Sequence, residues 1–182
     1  MLMSCGPWKP VYLETFMARI EELHFTADVP VCFKTATITA TAEVVGAGKE
    51  VVFKLCSPGK GKVLESKATV EAGKATVCFS VEDPELWYPH GYGKQPLYKL
   101  HAVLDGGVDT VSKTLGLRKV RLVQRPLTDA PGLSFFFEVN NIPIWVGGSN
   151  WIPADSFLNR LDERKYRKWL EIVKDGRQVM VR

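Results

Sequence analysis

Residues Thr35-Ala-Thr-Ile-Thr-Ala-Thr-Ala-Glu-Val44 alternate small or apolar side chains with four threonines and a glutamate over ten positions. That is the period of a strand with one face in a core and the other in water. A strand of this kind is not stable alone, so the run commits the chain to a sheet with a covered face. The same alternation returns in Ala75-Thr-Val-Cys-Phe-Ser-Val81. With these two, the short β-rich runs are Glu22–Phe25, Phe33–Val44, Glu50–Leu55, Lys62–Val70, Lys74–Val81, Leu97–Leu104 and Val108–Leu115. Gly46-Ala-Gly48, Pro58-Gly-Lys-Gly61, Ala72-Gly73 and Asp105-Gly-Gly107 supply turns between them. Upstream, Val11-Tyr-Leu-Glu-Thr-Phe16 follows Trp8-Lys-Pro10 and reads as one more extended strand.

About seven short strands in roughly 100 residues, with no helical periodicity between Ile20 and Gln124, predict a two-sheet sandwich of immunoglobulin-like shape. The Cys-Trp-Cys framework of antibody domains is missing, so the inference concerns architecture only. A Pro- and Gly-marked linker at 125–133 predicts a boundary. Beyond it, Phe135–Val139 and Ile142–Val146 form a hairpin turned at Asn140-Asn141, residues that tolerate positive φ. Next comes a helix with Asp162 as N-cap, an apolar face of Tyr166, Trp169, Leu170 and Val173, and Gly176 in the left-handed C-terminal position. Gln178-Val-Met-Val-Arg182 closes the sequence as a strand. Strand, helix, strand is the opening of an α/β barrel or an open parallel sheet. The expected fold class is mainly β, an immunoglobulin-like β-sandwich followed by the first βα unit of an incomplete (β/α)8 barrel.

Composition removes several classes of function. The net charge of +4 comes from scattered Lys and Arg, whereas nucleic-acid or anionic-membrane partners require a concentrated basic patch. No apolar run approaches the ~20 residues of a membrane span, and the first residues lack a secretory-signal pattern. Cys5, Cys32, Cys56 and Cys78 stand singly among strand-like residues and read first as buried reduced thiols, with a disulfide or a metal site as alternatives. A cytoplasmic location follows. His24, His90 and His101 lack ligand spacing, so neither a metal nor another cofactor is expected. The sequence carries no signal of oligomeric state.

Four segments carry a resemblance, in order along the chain. They are Cys5-Gly-Pro-Trp-Lys-Pro-Val-Tyr-Leu-Glu14, Glu85-Leu-Trp-Tyr-Pro-His-Gly-Tyr-Gly-Lys-Gln-Pro-Leu-Tyr98, Gly116-Leu-Arg-Lys-Val-Arg-Leu-Val-Gln124, and Phe135–Phe157 with Gly148-Ser-Asn-Trp-Ile-Pro-Ala-Asp-Ser-Phe157. Together they resemble the β-mannosidase branch of glycoside hydrolase family 2. The Cys-Gly-Pro-Trp and Gly-Gly-Ser-Asn-Trp wording is most similar to the intracellular fungal type. The resemblance implies that 1–15 end a preceding sugar-binding-like β-domain, that 16–124 are the sandwich, and that 134–182 start the catalytic barrel. It further implies a partner substrate, a β-mannoside oligosaccharide, hydrolysed at terminal non-reducing β-D-mannose with retention of configuration.

Retention requires two carboxyl groups about 5–5.5 Å apart. In that family both are glutamates on later barrel strands, and no residue here matches either motif. Glu138, Asp155, Asp162, Glu163, Glu171 and Asp175 fall in the hairpin, loop and first helix and are not credible substitutes. The expectation is a fragment that is inactive alone; the competing reading is a non-catalytic β-sandwich for interaction or carbohydrate binding.

Asn150, Trp151 and Asp155 are the candidate substrate-binding residues, since loops after barrel strands form the substrate face. An indole stacks on sugar rings, and Asn and Asp hydrogen-bond hydroxyls. The structural alternatives are that Trp151 packs the loop down, Asn150 satisfies backbone groups and Asp155 turns the loop. Gly147 and Gly148 read as sites of close backbone approach. Trp87-Tyr-Pro-His-Gly-Tyr92 resembles a sugar platform but reads first as packing the sandwich against the barrel or shaping a loop between strands; Tyr166 and Trp169 read as core, on a face that a fragment without the rest of the barrel would expose, and Arg164, Lys165, Arg167 and Lys168 as a solvated helix face.

Overall fold

The computed structural model describes residues 6–7, 9–59 and 61–182. Cys5 and Trp8, and what was expected of them, lie outside the described residues. By packing, the chain divides into two compact units, one of Phe16–Ile144 and one of Trp145–Arg182 with the N-terminal residues through Thr15.

The first unit begins with seven strands: β1 (Ala18–Asp28), β2 (Thr35–Gly46), β3 (Glu50–Cys56), β4 (Val63–Thr69), β5 (Lys74–Glu82), β6 (Tyr98–Leu104) and β7 (Asp109–Leu115). All pair antiparallel, in two sheets of order β1-β2-β5 and β4-β3-β6-β7. The fourth strand thus joins the sheet of β3. An immunoglobulin constant domain instead places its fourth strand beside the fifth. The tight β3–β4 connection, closed by the Ser57 N–H donating to Lys62 O at 3.0 Å, keeps the pair together as a hairpin.

Alternation sets the core. Ala36, Ile38, Ala40, Ala42 and Val44 of β2 point inward while the threonines face water, and Thr41 meets Thr76 across the strand pair at 2.9 Å. The small side chains of β2 share one contiguous core with the larger Phe53, Leu55, Phe79, Tyr98 and Leu100. Complementary volumes of this kind fill a sandwich at crystal-like density. The Tyr98 hydroxyl accepts from the Glu85 N–H at 2.9 Å, so the one polar atom of this buried ring is satisfied. At the sandwich edge, Asp109 on β7 accepts from the Ile20 N–H of β1 at 2.8 Å and ties one sheet to the other.

The parity that buries Val77 and Phe79 turns Cys78 outward. Cys32 is exposed in a turn and Cys56 is half-buried, and all three are free thiols, so their expected burial is corrected. Residues 11–16 form no strand, because no described strand offers them a ladder; β1 starts at Ala18.

The segment Trp87–Tyr92 is a loop packed against residues 116–118. Arg118 lies over the Trp87 ring at 4.7 Å, and the Trp87 N–H donates to Leu117 O at 2.8 Å. Gly116 is required opposite this ring, since a Cβ there would stand 2.9 Å from it.

A third sheet completes the unit, with β8 (Val120–Val123), β9 (Phe136–Val139) and β10 (Ile142–Ile144) in the order β10-β9-β8. Asn140 (φ 51°) and Asn141 (φ 64°) make its turn, the left-handed pair a two-residue hairpin demands. Asn140 is buried, as is Glu138, which pairs with Arg121 and lies 4.0 Å from Arg125. Because β8 pairs with β9 across 125–133, compactness divides the chain after Ile144 and not inside that segment.

The second unit holds β11 (Gly148–Ser149), a 3₁₀ turn at Leu158–Arg160, α1 (Glu163–Asp175) and β12 (Met180–Val181). β11 and β12 are parallel, so the unit is β-α-β, and no closed barrel is present among the described residues. Asp162 caps α1 by accepting from the Lys165 N–H at 2.9 Å. Gly176 is not the left-handed residue, its φ being −71°. The helix runs one residue further, and Arg177 (φ 52°) takes that role, with Gln178 N–H donating back to Val173 O at 3.1 Å. Tyr166, Trp169 and Leu170, read as core by their period, are exposed in this chain, as expected of a face that only a complete barrel would bury. The two-residue strands of this unit cover too little of α1 to bury them.

Candidate functional site

The loop following β11 is built on a close approach of two backbones. Val179 N–H donates to Gly147 O (2.8 Å), Arg182 N–H to Ser149 O (3.1 Å) and Trp151 N–H to Arg182 O (2.6 Å). These are the evenly spaced, slanted bonds of a parallel pair. A Cβ on Gly148 would stand 1.8 Å from Met180 O, so only glycine allows this pairing. Gly147 is less constrained, its built Cβ standing 3.2 Å from Trp145 Nε1. Ser149 Oγ donates to Gln178 Oε1 at 2.8 Å and fastens β11 to the residue that follows the helix turn.

Asn150 and Trp151 emerge at the C-terminal end of β11. Asn150 is exposed; Trp151 is half-buried, with its ring stacked on Tyr166 at 6.4 Å between centroids and 19° between planes. That distance lies within the offset-stacked range of about 4.5–7 Å. Both residues line a cleft of about 310 Å³ with Ile152, Trp169, Ile172 and Gln178. Its walls are largely apolar with a few polar groups, the general make-up of a small-molecule site.

Asp155 does not line that cleft. Its Oδ1 accepts from the Phe157 N–H at 2.9 Å, and its Oδ2 lies 3.2 Å from Arg160 Nε and 3.6 Å from Lys165 Nζ. The Phe157 N–H, aided by the two cations and opposed by partial desolvation, holds this carboxyl below the ordinary carboxylate range. Lys165, expected on the solvated face of α1, is therefore engaged with the loop.

The structure brings Asn150 and Trp151 together and sets Asp155 apart from them. Trp169 lines the cleft and Tyr166 stacks on Trp151, although helical periodicity alone assigned both to a core. The signal that could have found them is positional: they lie on the first two turns of the helix after an aromatic loop. Among the described residues no group of three or more His, Cys, Asp or Glu side chains is placed to hold a metal ion.

Residues 18–118, the sandwich and the loop packed around Trp87, match the model of glycosyl hydrolases family 2, more than half of the chain. This chain is a member of glycosyl hydrolases family 2. The family match ends before the β11 loop, so the similarity of that loop rests on longer alignments. Over its whole length the family 2 chain is 45% identical to β-mannosidase B of Thermothelomyces thermophilus and 42% identical to β-mannosidase B of Aspergillus terreus. It spans 22% of each of those proteins. Among solved structures, the β-D-mannosidase of Dictyoglomus thermophilum superimposes with a TM-score of 0.77 and 32% identity, covering 91% of this chain and 21% of that one. A β-glucuronidase of Parabacteroides merdae (TM-score 0.75, 12% identity, 91% and 21% covered) shares the fold alone.

Proposed function

We propose that this family 2 chain supplies the sandwich and the lead-in to the catalytic barrel of a retaining β-mannosidase, one that releases terminal non-reducing β-D-mannose from β-D-mannosides. The observation that carries the reading is the 45% identity to a β-mannosidase B over the full chain, β11 loop included. On this reading β11, α1 and β12 are the first strand, helix and second strand of a (β/α)8 barrel. The domain limits proposed are those read from the sequence, namely 1–15, 16–124, a linker at 125–133, and 134–182. Asn150 and Trp151 then sit where barrels bind substrate, beyond the C-terminal end of a strand.

The 182 residues contribute walls and not chemistry. Cleavage with retention calls for a nucleophile and an acid/base about 5–5.5 Å apart. Asp155, an acid of the loop, is occupied by Phe157, Arg160 and Lys165. The chain by itself is accordingly proposed to be inactive. The exposed free thiols Cys32 and Cys78 suit a reducing compartment, which supports a cytoplasmic setting.

The test is a chimera in which these 182 residues replace the aligned segment of the Thermothelomyces thermophilus β-mannosidase B. Hydrolysis of an aryl β-D-mannopyranoside by the chimera, with none by the 182-residue chain, is the expected result. A folded chimera that cleaves aryl β-glucosides or β-glucuronides but not β-mannosides would overturn the mannoside assignment.

A further inference from the structure

We infer that Asp155 is a positioning residue, which holds the Trp151 loop on the first turn of α1, and not a ligand of the sugar. The loop is clasped to two successive helix residues. Asp155 reaches Lys165, its Oδ2 at 3.6 Å from Nζ, and Trp151 stacks on Tyr166. Lys165 and Tyr166 are consecutive residues of the first turn, and the loop holds both, one through Asp155 and the other through Trp151. The anchor point is itself fixed, for the Lys165 N–H is capped by Asp162 Oδ1 at 2.9 Å.

The near side of the clasp is closed as well. Asp155 Oδ1 takes the Phe157 N–H, the Arg160 N–H donates to Phe157 O at 3.0 Å, and the Arg160 guanidinium returns to Asp155 Oδ2 at 3.2 Å while lying over the Phe157 ring. Residues 155–160 thus form a loop tied through one carboxylate. One carboxylate oxygen is taken by the Phe157 N–H, and the other faces two cations of this chain, Arg160 and Lys165. The side chain is only 15% exposed and is absent from the cleft lining, whereas Asn150 and Trp151 border it. A sugar hydroxyl at Asp155 would compete with the Arg160 and Lys165 cations already facing its Oδ2, and charge-assisted contacts are stronger than those to a neutral hydroxyl. The importance of Trp151 to substrate rests on the function proposed above; the clasp itself does not.

The experiment is the indole N–H spectrum of the ¹⁵N-labelled 182-residue chain, with the Trp151 signal assigned by its loss in Trp151→Phe and its unstacked position read from Tyr166→Leu. The expected result is that Asp155→Ala moves the Trp151 signal most of the way to the Tyr166→Leu position while the Trp87 signal stays in place. Asp155→Asn, which keeps an acceptor for the Phe157 N–H, moves it less, and Lys165→Met moves it part-way. A Trp151 signal at the wild-type position in Asp155→Ala would overturn the inference. Should Asp155→Ala also shift Trp87 through loss of fold, Asp155→Asn and Lys165→Met decide, and wild-type positions in both overturn it.

In the active chimera, a positioning role predicts a loss of about tenfold or more in kcat/KM for Asp155→Ala, with substantial rescue by Asn. A large rise in KM with an unmoved Trp151 signal would make Asp155 a sugar ligand instead. An inactive chimera would count against the β-mannosidase reading and leave the spectral result to stand on its own.

Discussion

The side-chain amide of Asn140 donates to the carbonyl of Trp87 at 3.0 Å, joining the tip of the β9–β10 hairpin to a loop 53 residues earlier. The same side chain accepts from the Lys119 N–H at 2.9 Å, and the Asn140 N–H donates to Lys119 O at 2.8 Å. One residue therefore makes the turn, aligns β8 with β9 and fixes the aromatic loop. Asn140→Ala removes two buried side-chain bonds, at about 1–3 kcal/mol for the unsatisfied groups, and puts a Cβ-only side chain at φ 51°. A loss of about 2–4 kcal/mol is expected by urea denaturation. Asn140→Gly should lose less, because it keeps the turn geometry; equal losses would show that the turn conformation is not under strain.

The Tyr98 hydroxyl is buried, and desolvation raises its pKa above the usual phenol value of 10.0, against the opposing pull of the Glu85 N–H. The folded state therefore holds the phenolic proton more tightly than the unfolded chain does. The corresponding stability is complete below about pH 10 and declines as pH rises from there through the folded pKa. Denaturation midpoints across pH 8–11 should fall more steeply for wild type than for Tyr98→Phe, which at neutral pH is less stable by about 1–2 kcal/mol. Parallel pH profiles would contradict this account.

Gly148→Ala should separate β11 from β12, since its Cβ would meet a backbone oxygen that no side-chain rotation can move. Hydrogen exchange at the Trp151 and Arg182 amides, both in that ladder, is expected to accelerate at least about tenfold. Amides of β2 and β5 should keep their protection, which makes the effect local. Unchanged exchange at Trp151 would mean that the strands pair without the close approach.

Asp155 gives an acid limit to the order of its loop. Its pKa is depressed, first by the Phe157 N–H and then by Arg160 and Lys165, so its contribution is present above the unfolded carboxylate value of about 3.9 and is lost as pH falls through the folded value. Following the Trp151 indole signal from pH 6 to pH 2 should show the stack with Tyr166 loosening only below about pH 4. Loosening near pH 6 would point to a different group.

Arg177 holds the left-handed position at the end of α1 and is exposed. Replacing it with glycine relieves the Cβ clash and should stabilise the β-α-β unit by about 0.5–1 kcal/mol. Measured helicity and the thermal midpoint should rise together; a fall would mean that the guanidinium makes a contact worth more than the strain.

Much of the fold was legible along the chain. The Thr-Ala alternation of β2 and the turn residues located all seven sandwich strands within a few positions, because a half-buried strand writes its period into its sequence. The helix was equally plain, Asp162 serving as its N-cap as expected. What failed were inferences that needed to know a neighbour. Cys78 was read as buried from its residue type, although its parity with Val77 and Phe79 turns it outward. Tyr166 and Trp169 were read as core from their period, on a face that only the rest of a barrel would cover; the period says which residues share a face and not what covers it.

The candidate site divides along the same line. Sequence was enough to single out Gly148, Asn150, Trp151 and Asp155 as unusual residues in one loop after one strand. Only the tertiary structure separated their roles, setting Asn150 and Trp151 on a cleft and closing Asp155 onto Phe157, Arg160 and Lys165. The reason is physical. Periodicity and turn chemistry are local and survive in a linear string, whereas the use of a carboxylate depends on which cations and N–H groups the fold carries to within hydrogen-bonding distance of it.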